Sequence, residues 1–185
     1  PPAVRALCKG ETKIDGFLAP GHVAVITGEG PWHQLAAAQG LPFVISGFTG
    51  EELLCSLYAL VRLVGQGVCK NLYPAAVRPE GNPAARALVD RYFEPTDAAW
   101  RGLGILPGSG LVLRPQYQHL DAGSAQLTTD AAAHSGCRCA QVITGAIPPT
   151  ACPLFGTVCT PGTPRGACMV SGEGSCHNAY LNHRM

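Results

Sequence analysis

Six of the nine cysteines in this 185-residue chain fall within the forty positions from 137 to 176. They are Cys137, Cys139, Cys152, Cys159, Cys168 and Cys176; Cys8, Cys55 and Cys69 lie upstream. The stretch they crowd has little else to hold it together. It carries three charges (Arg138, Arg165 and Glu173) and five prolines, and shows no helical periodicity beyond a short run from Gln141 to Thr144. Such a segment buries too little apolar surface to offset the entropy of ordering it. The cysteines are its obvious staples.

What they staple with is narrowed by context. An odd number cannot pair completely within one chain. No secretory apolar region opens the sequence and no Asn-x-Ser/Thr acceptor occurs, so the chain is expected in the cytoplasm, although Pro1 in place of Met allows for an upstream part. Cytosolic clusters of this density hold metal more often than they form disulfides. The spacings run C-x-C and then gaps of 12, 6, 8 and 7 residues, with no C-x-x-C. Structural zinc favours tight pairs. Four thiolates converging on an iron–sulfur cluster from a loose, charge-poor backbone suit the spacing better. A zinc- or disulfide-stapled interaction module without a redox role stays open as the alternative. Spacing alone does not choose between Cys137 and Cys139, or between Cys168 and Cys176.

Composition removes other classes. Charged residues make up 14% and the net charge is +1, which speaks against a polybasic nucleic-acid binder. A hydrophobic content of 46% speaks against disorder. The longest charge-free stretch, 139–164, is full of Gly, Pro and Thr and is no membrane span.

Residues 1–130 read as an α/β domain with a mostly parallel sheet, followed over 131–185 by the irregular cysteine-rich segment. Residues 23–27 and 42–46 are short apolar runs suited to buried parallel strands. Trp32–Gln39 reads as a helix closed by Gly40. Glu51–Val64 is the strongest helix, with Leu53, Leu54, Leu57, Leu60, Val61 and Val64 in one stripe that is expected to face the core. Cys55 is expected to be a packed, inert thiol beside it. Asn82-Pro83 caps a further helix that runs to about Phe93, with Pro95 stopping it. Runs at 102–106 and 110–114 read as two strands joined by a turn at Pro107-Gly108-Ser109.

Outside the cysteines, His22 follows Pro20-Gly21 just ahead of an expected strand, a loop position where an imidazole can work. Gly28-x-Gly30 lacks the third small residue of a dinucleotide fingerprint, because His33 stands there. His33, His119, His134, His177 and His183 match no ligand spacing, and no P-loop or G-x-S-x-G elbow occurs.

The cysteine segment also has a wider pattern. It includes Cys152-Pro153-Leu154-Phe155-Gly156, Cys159-Thr160-Pro161, Pro164, and Gly166-Ala167-Cys168-Met169-Val170-Ser171 through Glu173-Gly174 and Cys176. Upstream stand Ala19-Pro20-Gly21-His22-Val23, Pro42-Phe43-Val44 with Gly47-Phe48, Glu80-Gly81-Asn82, and Trp100-Arg101-Gly102-Leu103-Gly104. In this order the motifs resemble the C-terminal portion of the HypD family of hydrogenase formation proteins.

The resemblance implies a spacing of C-x14-C-x6-C-x16-C for a [4Fe–4S] cluster. That spacing selects Cys137, Cys152, Cys159 and Cys176 and leaves Cys139 and Cys168 as a surplus pair. It further implies a maturation scaffold rather than a stand-alone enzyme. Such a scaffold works with a HypC-type chaperone and HypE on the Fe(CN)2CO unit of [NiFe] hydrogenases, with Pro20, Gly21 and His22 lining a cleft. Two departures stand out. The family's N-terminal C-G-x-H and G-P-G-C-P-V-C motifs are absent, and its G-F-E-P is Gly47-Phe48-Thr49-Gly50 here.

Overall fold

The computed structural model describes residues 2–8, 12–100, 103–123 and 135–182. His134 and His183, and Arg101-Gly102 of the tryptophan-containing motif, lie outside them. The chain divides into two compact units. The first comprises residues 14–94 and 113–118; the second gathers residues 2–13, 95–112 and those from 119 onward.

The first unit is α/β, as expected. Its sheet holds three parallel strands in the order β1 (Phe17–Pro20), β2 (Phe43–Ser46) and β3 (Cys69–Asn71). The register brings Phe17, Phe43 and Cys69 side by side. Phe43, Val44 and Ile45 are fully buried, as the continuous apolar run predicts for a central parallel strand. Phe17 stacks on Phe43 at 4.9 Å between ring centroids, and Trp32 closes over it at 6.3 Å. Trp32 belongs to α3 (Gly30–Gln39), which ends at left-handed Gly40.

The run at 23–27 is a helix, not a strand. The strand position is taken by Phe17–Pro20, and Pro20-Gly21 turns the chain into α2 (Gly21–Thr27). A side chain at 21 would strike the Ser46 carbonyl and the Tyr73 ring, so the turn requires glycine. Thr27 accommodates the helix by donating its hydroxyl to the Val23 carbonyl, and Gly28 at φ 76° ends it. Sheet context thus overrides the local β preference of Val23, Val25 and Ile26.

α4 (Gly50–Leu63) forms where the periodicity places it, and Thr49 and Glu52 make a reciprocal capping box at its start. Its apolar stripe, however, does not face the core. Leu53, Leu54, Leu57, Val61 and Val64 are exposed, and so is Cys55. Ser56 and Leu63 are the buried positions, because the helix sets that side against β1 and β2.

After β3, Asn71 fixes the loop that follows. Its amide donates to Glu29 and to the Val77 carbonyl, and its oxygen accepts from the Tyr73 N–H. α5 (Pro83–Tyr92) starts on the Asn82 cap and ends next to Phe93, both as expected. The chain becomes β4 (Phe93–Trp100), which pairs with β5 (Gly104–Leu113) in a separate two-stranded sheet. β5 runs through the expected Pro107-Gly108-Ser109 turn. The Asp97 carboxylate accepts from the Gly108 N–H, and the Ser109 hydroxyl accepts from the Trp100 indole, so side chains hold the kinked stretch in the ladder.

The second unit contains α1 (Pro2–Leu7) and the short helices α6 (Cys139–Ile143), α7 (Ala167–Val170) and α8 (Ser175–Asn182). No helix among the described residues is long and apolar enough to cross a membrane.

Burial, and secondarily the negative charge of Glu29, push the Cys69 thiol up to about 11 from 9.0. Folding therefore favours the neutral thiol. Its stabilising contribution is complete below pH 9 and disappears as the pH rises to about 11. Denaturant unfolding of Cys69→Val is expected to fall less steeply over that alkaline range than unfolding of the wild type. Parallel curves would contradict the assignment.

Candidate metal centre

Cys139, Val142, Cys159, Cys168, Met169 and Cys176 form one buried cluster, with Cys137, Leu154, Phe155 and Tyr180 packed against it. A segment poor in apolar side chains thus has a core after all, and sulfur supplies most of it. All nine cysteines are free thiols.

Local structure explains how each thiol arrives. Cys137 and Cys139 sit at the entry to α6. A single 3-10 turn, Pro149–Ala151, delivers Cys152, whose N–H returns to the Pro149 carbonyl. Next comes a tight loop. The Cys159 N–H donates to the Leu154 carbonyl at 2.8 Å, and left-handed Gly156 returns its own N–H to the Cys159 carbonyl. α7 carries Cys168, and the first turn of α8 carries Cys176.

Contacts among the sulfurs are close. The Cys168 thiol donates to Cys176 at 3.0 Å, and Cys139 hydrogen-bonds Cys168. The Arg165 backbone N–H points at the Cys159 sulfur from 3.3 Å. Cys152 is buried as well. The hydrogen bond to Cys168 raises the Cys139 thiol, with burial adding to it. Burial raises Cys137 and Cys176. In this arrangement Cys137, Cys139 and Cys176 are held neutral.

The set selected by the C-x14-C-x6-C-x16-C spacing, Cys137, Cys152, Cys159 and Cys176, is therefore gathered in one unit. Cys139 and Cys168 lie inside the same core, between members of that set. Among the described residues, no three or more Cys, His, Asp or Glu side chains close on a point as one bound ion would require. The donors are all sulfur, in a dry, charge-poor setting with a backbone N–H aimed at one of them. That chemistry fits a thiolate-ligated iron–sulfur cluster better than an oxygen-loving cation.

Pro20, Gly21 and His22 belong to the first unit, and His22 opens α2 rather than a strand. Its exposed ring stacks on Phe48 at 5.3 Å. The neighbouring loop does hold a carboxylate, although Thr49 replaces the family's glutamate. Glu52 folds back to accept from the Phe48 and Thr49 N–H groups, and these bonds, that of Thr49 foremost, keep its carboxyl below its usual range. A Cβ at Gly47 would collide with that carboxylate. His177 follows Cys176 on α8. It is half-buried, with Nδ1 on the Met169 carbonyl at 3.2 Å.

Sequence reasoning missed Arg165-Gly166. Gly166 has ordinary extended backbone angles, yet a Cβ there would stand 2.5 Å from the Cys137 sulfur. The only sequence signal was a glycine just ahead of a cysteine-bearing helix.

A family model described as HypD, the hydrogenase formation hypA family, matches residues 1–183. The chain belongs to the HypD family. The hydrogenase maturation factor HypD of Rhizobium leguminosarum bv. viciae is 42% identical over 190 residues, covering 99% of this chain and 49% of that protein. HypD1 of Bradyrhizobium diazoefficiens is 41% identical over 180 residues, covering 95% and 47%. A hydrogenase expression/formation protein of Methanocaldococcus jannaschii is 36% identical over 189 residues, covering 100% and 53%. The chain spans about half the length of the curated HypD relatives it matches.

Gly166→Ala is expected to displace Cys137 by sterics alone, since alanine tolerates the backbone there. It should lower the thermal midpoint of the metal-free protein, whereas Gly162→Ala, with only Thr160 near at 3.9 Å, should not. Equal midpoints for the two variants would count against a tight sulfur core.

Proposed function

We propose that the chain is the cluster-bearing part of a [NiFe] hydrogenase maturation scaffold, with Cys137, Cys152, Cys159 and Cys176 as ligands of a [4Fe–4S] cluster. The observation that carries this reading is the sulfur core: six cysteines on one short segment, all free, with the Arg165 N–H directed at Cys159. Family membership supplies the context of hydrogenase maturation.

A bound cluster would supply one-electron redox chemistry within this core. The protein's own contribution is to position and insulate. The turns at 149–152 and 154–159 fix two thiols, α8 fixes a third, and Leu154, Phe155 and Tyr180 exclude water. Amide donors such as the Arg165 N–H favour the thiolate form of the sulfur they face. Because burial favours neutral Cys137 and Cys176 without metal, loading them releases protons and strengthens as pH rises.

In this reading the substrate is the nascent Fe(CN)2CO unit, and the partners are a HypC-type chaperone and HypE, met in the cytoplasm. His22, exposed near the start of α2 and stacked on Phe48, would line the cleft that receives the iron. Thiols that hold the iron itself are expected in the C-G-x-H and G-P-G-C-P-V-C motifs, which this chain lacks.

Anaerobic purification tests the cluster. A brown protein absorbing broadly near 400 nm with about four irons per chain is expected, as for thiolate-ligated cubanes. Cys176→Ala should lose the iron, and Cys168→Ala should largely keep it. Zinc in place of iron, or a colourless preparation, would replace the cluster with a structural stapling role. Hydrogenase maturation restored to a HypD-deficient strain by this chain alone would overturn the need for the missing motifs.

A further inference from the structure

α4 is inverted for a helix that covers only its own sheet. Toward β1 and β2 it presents fully buried Ser56, with Leu60 and Leu63 beside it. Its bulkier face turns outward: Leu53, Leu54, Leu57, Tyr58, Val61 and Val64 are all exposed, with Leu54, Tyr58 and Val61 at 69%, 71% and 70%. A soluble protein rarely leaves such a contiguous apolar face uncovered. A helix apolar on both sides belongs in the interior of a larger body.

A second feature adjoins it. β1 is an outer strand of a parallel sheet, paired to β2 alone, and α4 packs on it. Parallel sheets occur with their faces covered, and an open apolar edge invites another strand. The exposed helix face and the open strand edge both belong to the first unit. The HypD relatives supply a candidate of matching size. This chain corresponds to 47–53% of their length, so each carries about as many residues again.

We propose that the outward face of α4 is the seat of the other half of a full-length HypD protein, docked through an apolar surface beside the β1 edge. The charges on α4 are Glu51 and Glu52 in its first turn and Arg62 in its last. They frame the apolar face rather than interrupt it, the pattern of a permanently buried interface with a polar rim. The proposal rests on exposure and length alone and does not depend on the cluster.

The test is co-expression of this chain, carrying an affinity tag, with the untagged remaining half of the Rhizobium leguminosarum HypD. The expected result is co-purification at equal stoichiometry, lost in Leu54→Asp/Val61→Asp. Both positions are exposed, so the variant should keep its circular dichroism spectrum. Maleimide labelling of exposed Cys55 on the same helix should be fast in the chain alone and suppressed in the complex. Co-purification unaffected by the double substitution would overturn the proposal, as would no retention of the other half by the wild-type chain. Light scattering that finds the chain alone to be a dimer, and the variant a monomer, would assign the face to a second copy and equally overturn it.

Discussion

The cysteine segment depends on neutral thiols packed as small apolar groups. Met169 and Val142 alone would be a meagre core for a stretch punctuated by five prolines. Protonated cysteine buries almost as readily as an aliphatic residue, and here it does so repeatedly. The same burial raises Cys137 and Cys176, and the bond to Cys168 raises Cys139. The proposed ligand role would oppose this folding requirement, because a thiol packs when it keeps its proton and binds metal when it loses it. Amide donors such as that of Arg165 reconcile the two, since they favour the thiolate without opening the core to water.

Backbone placement follows from that core. The residues between cysteines are turn formers because each thiol must be brought inward over a short distance. Gly156 adopts a left-handed conformation where the chain doubles back to place Cys159. Gly166 serves differently: its backbone is ordinary, and what matters is the missing side chain beside Cys137. A low local charge count belongs to the same design, because a charged side chain among buried sulfurs would itself need a partner.

Much of this was legible in the residues. The α/β layer followed from short apolar runs and well-marked helix starts; α4 followed from the Glu51–Val64 periodicity, the α5 start from Asn82 and the α3 end from Gly40. The gathering of six thiols followed from their crowding on a segment with nothing else to hold it. Residues 23–27 were not legible, because their β-branched composition is overruled by a strand four residues earlier and by the turn at Gly21. Nor was the role of Gly166, since a steric vacancy leaves no pattern in one dimension. The continuous course of β5 depends on Asp97 and Trp100, partners too distant in sequence for the local turn signal to reveal.

α4 shows the limit of periodicity most clearly. A stripe at helical spacing says that one face avoids water, but it does not say against what. The usual inference assigns that face to the helix's own sheet. Here the sheet takes the side bearing buried Ser56 and Leu63. The stripe is left for a surface that the first unit does not provide. A helix with one side for its sheet and an apolar side for something else is a middle layer, and a middle layer implies a third one beyond it.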